Sequence, residues 1–320
     1  MTSQSNETPL KLSNGSLKLS VCVVTYNQEK YIRRCLESIL NQDTNFAFEV
    51  LIGDDCSSDA TSAIVDEFSK AYPERVTVIK RERNVGALIN YKSVHSHAKG
   101  EYVAHVDGDD YCFPSKFQKQ VDFLEANADC HLVAHRMRVG NDEAYWAETK
   151  ENPNKFDLDY LLKNHPCFLN SSMIYRRALA GSLFSDGGLF IDFFVYVHFG
   201  IRGRLGFVNE TLGYYRTGIG ISSKRDLMPY IQMAIDLAAT HIGENSQVRR
   251  CRAKHYLSYA VADLMAGDSK KFLMNLDIAR KNDGDWPFLK AFSCLRFFPW
   301  LARFVIGVYK KKKRKYVPIS

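Results

Sequence analysis

Apolar residues arrive along this chain in short continuous runs, separated by stretches with helical spacing, and each run stops at polar residues. Leu19 to Thr25 is a continuous apolar run that suits a buried parallel strand. After Tyr26-Asn27-Gln28, the residues Tyr31, Ile32, Cys35, Leu36, Ile39 and Leu40 recur at helical spacing up to Gln42. Phe48 to Ile52 reads as a second strand, ending at Gly53-Asp54-Asp55. Ser57 and Ser58 are placed to cap a helix whose face includes Ala63, Ile64, Phe68 and Tyr72. Val76 to Ile79 is a third strand, Asn84 and Gly86 open a helix to about His97, and Tyr102 to Val106 is a fourth strand. This β-α-β-α-β-α-β order predicts an open, mostly parallel sheet covered by helices.

Further on, Pro114 opens a helix to about Asn127, Leu132 to His135 is a short strand, and Arg136 to Lys155 reads as a polar loop over the site. Asp157 to Lys163 is a short amphipathic helix, Ser172 to Tyr175 a strand, and Gly187-Gly188 a turn. Leu205 to Val208 and Leu212 to Tyr215 read as two short strands. From Met228 the pattern becomes helical, over roughly 229–242, 248–265, 270–281 and a last segment from about Trp286. A change of subdomain is expected near Ser223 to Leu227.

In parallel sheets of this kind, ligands sit beyond the carboxyl ends of the strands. Thr25-Tyr26-Asn27, Gly53-Asp54-Asp55, Arg83-Asn84 and Asp107-Gly108-Asp109-Asp110 all fall there. The last places three carboxylates within four positions at the end of an apolar strand. Like charges so close repel unless a cation or hydrogen-bond donors lie between them. A divalent metal is the simplest partner, since it takes oxygen ligands and keeps a nucleotide phosphate as another. No G-x-G-x-x-G follows the first strand and no G-K-[ST] occurs anywhere, so a nucleotide would be held by carboxylates and metal. Asp54 or Asp55 would accept hydrogen bonds from a base or ribose, unless the pair only caps a helix. Asp107 would reach the ribose, and Asp109 would ligate a metal bridging to the diphosphate, which becomes a better leaving group.

Asp192 is the one acidic residue in the apolar stretch Leu189 to Phe199, where its raised pKa would suit a general base; a helix cap is the structural alternative. Arg216, after Tyr215, is a plausible anion clamp. His131 and His135 lie four apart on an expected strand, a spacing that does not make a ligand pair there. Asn209-Glu210-Thr211 matches a glycosylation sequon, without consequence in a cytosolic chain.

Composition narrows the classes further. At 320 residues, with 46% hydrophobic and 25% charged, the chain is an ordinary globular protein. The formal charge is +7, but the six basic residues from Lys310 to Lys315 leave about +1 for the rest, which argues against a nucleic-acid surface. The eight cysteines are scattered, with no C-x-x-C pair, as expected for free buried thiols in a reducing compartment. Met1 to Leu17 is polar and lacks a secretory h-region, so a cytoplasmic location is expected. Phe297 to Tyr309 is apolar and aromatic, too short to span a bilayer, and precedes the basic run. That order reads as an interfacial segment drawn to anionic lipid, on the inner face of the cell membrane, or else as a packed helix with a charged end.

Val23-Val24-Thr25-Tyr26-Asn27, Asp54 to Thr61, Asn84-Val85-Gly86 with Asn90, and Asp107-Gly108-Asp109-Asp110 together resemble a family 2 glycosyltransferase of the GT-A fold, bacterial surface-polysaccharide type. The resemblance covers roughly Leu19 to Ser223. It implies inverting transfer from a nucleotide diphospho-sugar, usually uridine-linked, to a glycan or lipid-linked acceptor, assisted by Mn2+ or Mg2+. Carried over by position, Thr25, Tyr26 and Asp55 would contact the base, with Asn27, Asp54, Asn84 and Arg216 also on the donor side. Asp107 would contact the ribose, Asp109 with Asp107 would hold the metal, and Asp192 would deprotonate the acceptor. The implied organisation is a mobile N-terminus over 1–17, a nucleotide-sugar half over 18–111 and an acceptor half over 112–223. A helical region over 224–296 and a membrane-associating tail over 297–320 follow. The Gln-x-x-Arg-Trp signature of processive synthases is absent, which favours single additions. A sugar nucleotidyltransferase and a nucleotide-sugar-binding module without turnover are the other readings.

Overall fold

The computed structural model describes residues 17–290 except 142–143, 182, 185–190, 219–226 and 288. Its first half contains β1 (Leu19–Thr25), α1 (Ile32–Leu40), β2 (Phe48–Asp54), α2 (Thr61–Ala71), β3 (Val76–Lys80), α3 (Ala87–Ser96) and β4 (Tyr102–Asp107). β1 lies parallel to β2 on one side and to β4 on the other, and β3 extends the sheet beyond β2. That central position is why β1 is buried along nearly its whole length, Ser20 and Thr25 included. Leu19, Val21 and Val23 face α1 and α2, whereas Cys22 faces α3.

The chain continues through β5 (Tyr111–Cys112), α4 (Lys116–Ala126), β6 (Cys130–Asn141), β7 (Ala144–Glu148), β8 (Lys155–Phe156) and α5 (Leu158–Asn164). A 3-10 turn (Asn170–Ser172) leads into β9 (Ile174–Arg176), followed by α6 (Asp192–Gly200) and β10 (Arg204–Arg216). Among the described residues ten strands form one sheet, in the order β3-β2-β1-β4-β9-β6-β10-β5, with β7 on β6 and β8 on β10. β9 is antiparallel to both β4 and β6, so it joins the parallel first half to the second. One face is covered by α1, α2 and α4, and the other by α3, α5, α6 and α7 (Met228–Ile242). α8 (Ser246–Ala266) and α9 (Ser269–Asp283) pack on each other around Leu257, Leu264, Phe272 and Leu276, a separate small core.

Several expectations change. The segment from Arg136 is no loop: β6 runs on to Asn141 and turns back as β7, pairing Val139 with Ala147. Along β6 the buried Met137 and Val139 alternate with the more exposed Arg136 and Arg138. The two short strands after Leu205 are one strand, β10, whose register shifts against β6 around Val208, Thr211 and Tyr214. Bulges break the alternation without ending the pairing. Ser172 belongs to the 3-10 turn, and β9 starts at Ile174. Ser57 and Ser58 do not cap α2, which begins after Ala60 with no side-chain cap. Its buried face is Thr61, Val65 and Phe68, while Ala63 and Tyr72 are exposed. The described cysteines are free, five of them buried and Cys56 exposed. The Gly187-Gly188 turn, Cys294, most of the expected boundary near Ser223 and the whole tail from Phe297 lie outside the described residues.

α4 attaches the second half to the sheet through Phe117, which is fully buried and meets the Phe48 ring edge-on at 5.7 Å. Phe117→Ala is expected to destabilise the protein by about 3–5 kcal/mol, read as a lowered urea midpoint at unchanged slope.

Candidate active site at the carboxyl ends of the strands

The parallel register lines up the ends of three strands: Thr25 sits beside Asp54, and Val24 beside Asp107. The loops beyond these ends are tied to one another. Asn27, in the left-handed region at φ 51°, accepts the Ser58 backbone N–H through Oδ1 at 2.8 Å, and its own N–H donates to Ser57 Oγ at 3.0 Å. Asn tolerates this conformation better than most residues. The Gln28 N–H donates to Thr61 Oγ1 at 2.8 Å, and Thr25 Oγ1 lies 2.8 Å from Gln28 Oε1. Tyr26 stands exposed at the rim, as does Asn27.

The two adjacent aspartates after β2 point to different partners. Asp54 is buried and accepts from the Ser57 N–H and hydroxyl at 3.1 and 2.5 Å, and from the Ser62 hydroxyl. It therefore shapes the turn into α2. Asp55 is also buried and accepts the backbone N–H groups of Val85 and Gly86, each at 2.8 Å, while Asn84 Nδ2 donates to the Asp55 carbonyl at 3.2 Å. Asp55 thus fixes the loop ahead of α3 against the end of β2. Each of its oxygens keeps lone-pair capacity for a ligand.

Asp107 ends β4 with a partly exposed carboxylate. His105 Nε2 lies 3.2 Å from Oδ1, and Ser171 Oγ donates to Oδ2 at 3.2 Å. Burial works against its charge, but the His105 ring and the Ser171 hydroxyl outweigh it and hold the carboxyl below its usual range. Gly108 follows because nothing larger fits: a Cβ there would lie 2.5 Å from Gln28 Oε1 and 2.9 Å from the Thr25 side chain. Asp109 is buried. Burial and the Asp107 charge push it up to about 6. Asp110 is buried too, and is raised by burial and by the charges of Asp109 and Asp107. Its Oδ1 accepts the Arg216 backbone N–H at 2.8 Å, whereas its Oδ2 is buried without a hydrogen-bond partner.

Arg216, at the end of β10, donates from Nε to the Asp109 carbonyl at 3.1 Å, and its guanidinium lies 4.0 Å from the Tyr31 ring centre. Lys116 is fully buried beneath the cluster and donates to the Ser171 carbonyl at 2.6 Å. Asp192 is the first residue of α6, with Ile191 in the capping position. Its Oδ1 accepts its neighbour Phe193's N–H at 2.8 Å, and Tyr196 OH donates to Oδ2 at 3.3 Å. Burial raises its pKa against the Phe193 hydrogen bond, and the Asp107 charge raises it further.

Asp192 and Asp107, far apart in the chain, therefore lie within electrostatic reach of each other. Tyr215, expected beside Arg216 in an anion clamp, and Tyr91, missed by sequence reasoning, both feel these charges. Burial and then the charges of Asp110, Asp107, Asp109 and Asp192 push the Tyr215 phenol up; burial and then Asp192 and Asp107 do the same to Tyr91. Ser171 and Lys116 were missed as well, and no local signal marks either. His105 had one: it stands two residues before Asp107 on a strand, so both face the same side.

The donor set suits a divalent cation in part. Asp107 and Asp109 would offer hard oxygen ligands, and Asp110 Oδ2 beside them is buried without a hydrogen-bond partner. Among the described residues no three His, Cys, Asp or Glu side chains make a complete cation site. Further ligands would have to come from donor phosphate and water.

An open α/β sheet with carboxylates gathered at the carboxyl ends of its strands is the class that fold and geometry define. The model of glycosyl transferase family 2 matches residues 20–184, just over half of the chain, and the chain belongs to that family. An uncharacterized Mycobacterium tuberculosis protein is 34% identical over 204 residues, covering 62% of this chain and 58% of its own length. A Bacillus subtilis chain provisionally named as a teichuronic acid biosynthesis glycosyltransferase is 34% identical over 153 residues, 48% of this chain and 60% of that one. The fold is that of a crystal structure of S. aureus TarS 1–349 in complex with UDP-GlcNAc, with TM-score 0.67 and 22% identity over 90% of this chain and 87% of that one.

Because Asp109 titrates near 6 when folded, above its ordinary 3.8, the folded protein keeps a proton that the unfolded chain releases. Stability then falls as pH rises from about 4 through about 6. Asp109→Asn is expected to gain about 1–3 kcal/mol over the parent near pH 7.5 and much less near pH 4.5, measured by urea unfolding at both values.

Proposed function

We propose that the chain transfers a sugar, with inversion, from a nucleotide diphospho-sugar, a UDP-sugar, to a hydroxyl of a glycan or lipid-linked acceptor. The observation that supports the reading is that Asp192, from α6, acts on the Tyr215 phenol together with Asp107, Asp109 and Asp110 from the end of β4. TarS, of the same fold, is seen with UDP-GlcNAc, and the Bacillus relative's name points to a cell-surface polymer; both support the reading.

On this reading Tyr26 and Asp55 take the base, with Thr25, Asn27 and Asn84 shaping that end of the site and Asp54 holding its loop from behind. Asp107 takes the ribose. Asp109, with Asp107, would hold Mn2+ or Mg2+. The cation supplies charge neutralisation of the leaving group. Arg216, anchored on the Asp109 carbonyl, adds positive charge on the same side. Asp192 accepts the proton of the acceptor hydroxyl. Its raised pKa suits that work, and the Phe193 N–H and Tyr196 hydroxyl fix its direction. The acceptor oxygen then bonds to the anomeric carbon as the bond to the diphosphate breaks on the opposite face.

The same reading places the enzyme at the cytoplasmic face of the membrane, reached through the apolar and basic segment 297–320. Among the described residues no helix is long and apolar enough to cross a membrane. Deleting 297–320 is expected to move the protein from the membrane fraction to the soluble one, and unchanged fractionation would remove the anchor.

Purified protein offered a panel of nucleotide sugars, with and without Mn2+, is expected to transfer from one of them only when the cation is present. Asp192→Asn is expected to lower transfer by roughly 100- to 10,000-fold while UDP binding persists. Turnover retained in that variant would exclude Asp192 as the base, and cleavage of every donor without transfer would exclude the class.

A further inference from the structure

Behind Asp107 the core contains polar groups that the transfer chemistry does not use. His105 lies 3.2 Å from Asp107 Oδ1 through Nε2 and 3.1 Å from His95 Nε2 through Nδ1. His95 Nδ1 in turn lies 2.8 Å from Tyr175 OH. The four residues come from β4, α3 and β9, and all but Asp107 are buried. Tyr91 packs on both imidazoles, with ring centres 4.2 Å from His95 and 4.8 Å from His105. Two histidines in an apolar core are costly unless every ring nitrogen has a partner. Here all four have one.

The contacts run in one line from the end of the sheet into the core. A carboxylate oxygen accepts, so His105 Nε2 is the donor at Asp107 Oδ1. His105 Nδ1 and His95 Nε2 share the next hydrogen at 3.1 Å. His95 Nδ1 ends the line on the Tyr175 hydroxyl, which can either donate or accept. At the other oxygen, Ser171 Oγ accepts the Asp107 N–H at 2.9 Å and donates to Oδ2. Each Asp107 oxygen thus has one protein donor, and the plane of the carboxylate is set from behind.

We propose that Tyr175, His95 and His105 form a buried relay of positioning residues that holds the Asp107 carboxylate oriented toward the donor's ribose and its cation. The inference rests on the reading of Asp107 as a donor ligand. Outer partners of this kind tune a carboxylate's affinity without touching the ligand.

The test is a double-mutant cycle read by calorimetric binding of UDP in MnCl2. His105→Leu is expected to weaken UDP binding about 10-fold. His105→Gln, whose amide can still donate to Oδ1, is expected to restore most of it. In an Asp107→Asn background His105→Leu is expected to add nothing further. Wild-type binding in folded His105→Leu, no rescue by Gln, or full additivity with Asp107→Asn would each overturn the relay. Should the Leu variant not fold, Tyr175→Phe and His95→Gln carry the same test: a raised KM for donor with kcat nearly unchanged supports the relay, and unchanged kinetics refute it. If Asp107→Asn itself binds UDP like the parent, the donor-site reading fails and the relay's purpose fails with it.

Discussion

Repulsion among carboxylates governs the mouth of this sheet. Asp107, Asp109, Asp110 and Asp192 all act on the Tyr215 phenol, and burial compounds the cost of charging them. Arg216 offsets part of that charge, with its side chain on the Asp109 carbonyl and its N–H on Asp110. Protons offset more of it in the free protein, which is why Asp109 and Asp110 are raised while Asp107, with its own donors, is lowered. A divalent cation would lower the cost in the same way. Such crowding lowers stability, and folds retain it where binding or chemistry needs it.

The surrounding loops are built to keep that crowding in place. The segment after β1 and the segment after β2 are joined by reciprocal backbone and side-chain hydrogen bonds. Asp55 clamps the approach to α3, and Gly108 lets the acidic turn lie directly on Thr25 and Gln28. The second half arrives through β9, which pairs with β4 and brings Ser171 against Asp107. Asp192 comes with α6, whose apolar body packs in the same core as α3 and α5. The two halves therefore share one sheet and one core rather than forming two bodies joined by a linker.

The first half of the fold was legible in the residues because its signals are local. Alternating apolar runs and helical spacing set strands and helices to within a few residues, and polar strand ends pointed to the site edge. Asp107, Asp109 and Asp192 stood out because charge in an apolar run is a one-dimensional signal. The second half was less legible. β6 and β10 were cut short, since bulges and a partly solvated outer ribbon blur the alternation that marks a strand. Local signals also could not separate Asp54 from Asp55. The two are adjacent and alike in sequence, yet one turns to Ser57 and Ser62 and the other to Val85 and Gly86.

What the sequence determined by itself was the class of sheet, the edge that holds the site, and which carboxylates are out of place in apolar surroundings. These follow from periodicity and from the cost of burying charge, both readable one residue at a time. Only the tertiary structure decided that Asp192 lies near Asp107 and that both act on Tyr91 and Tyr215. It also buried Lys116 on the Ser171 carbonyl and set a line of imidazoles behind Asp107. Those relations depend on which strands are neighbours in the sheet, and strand order is set by long-range packing that no local pattern encodes.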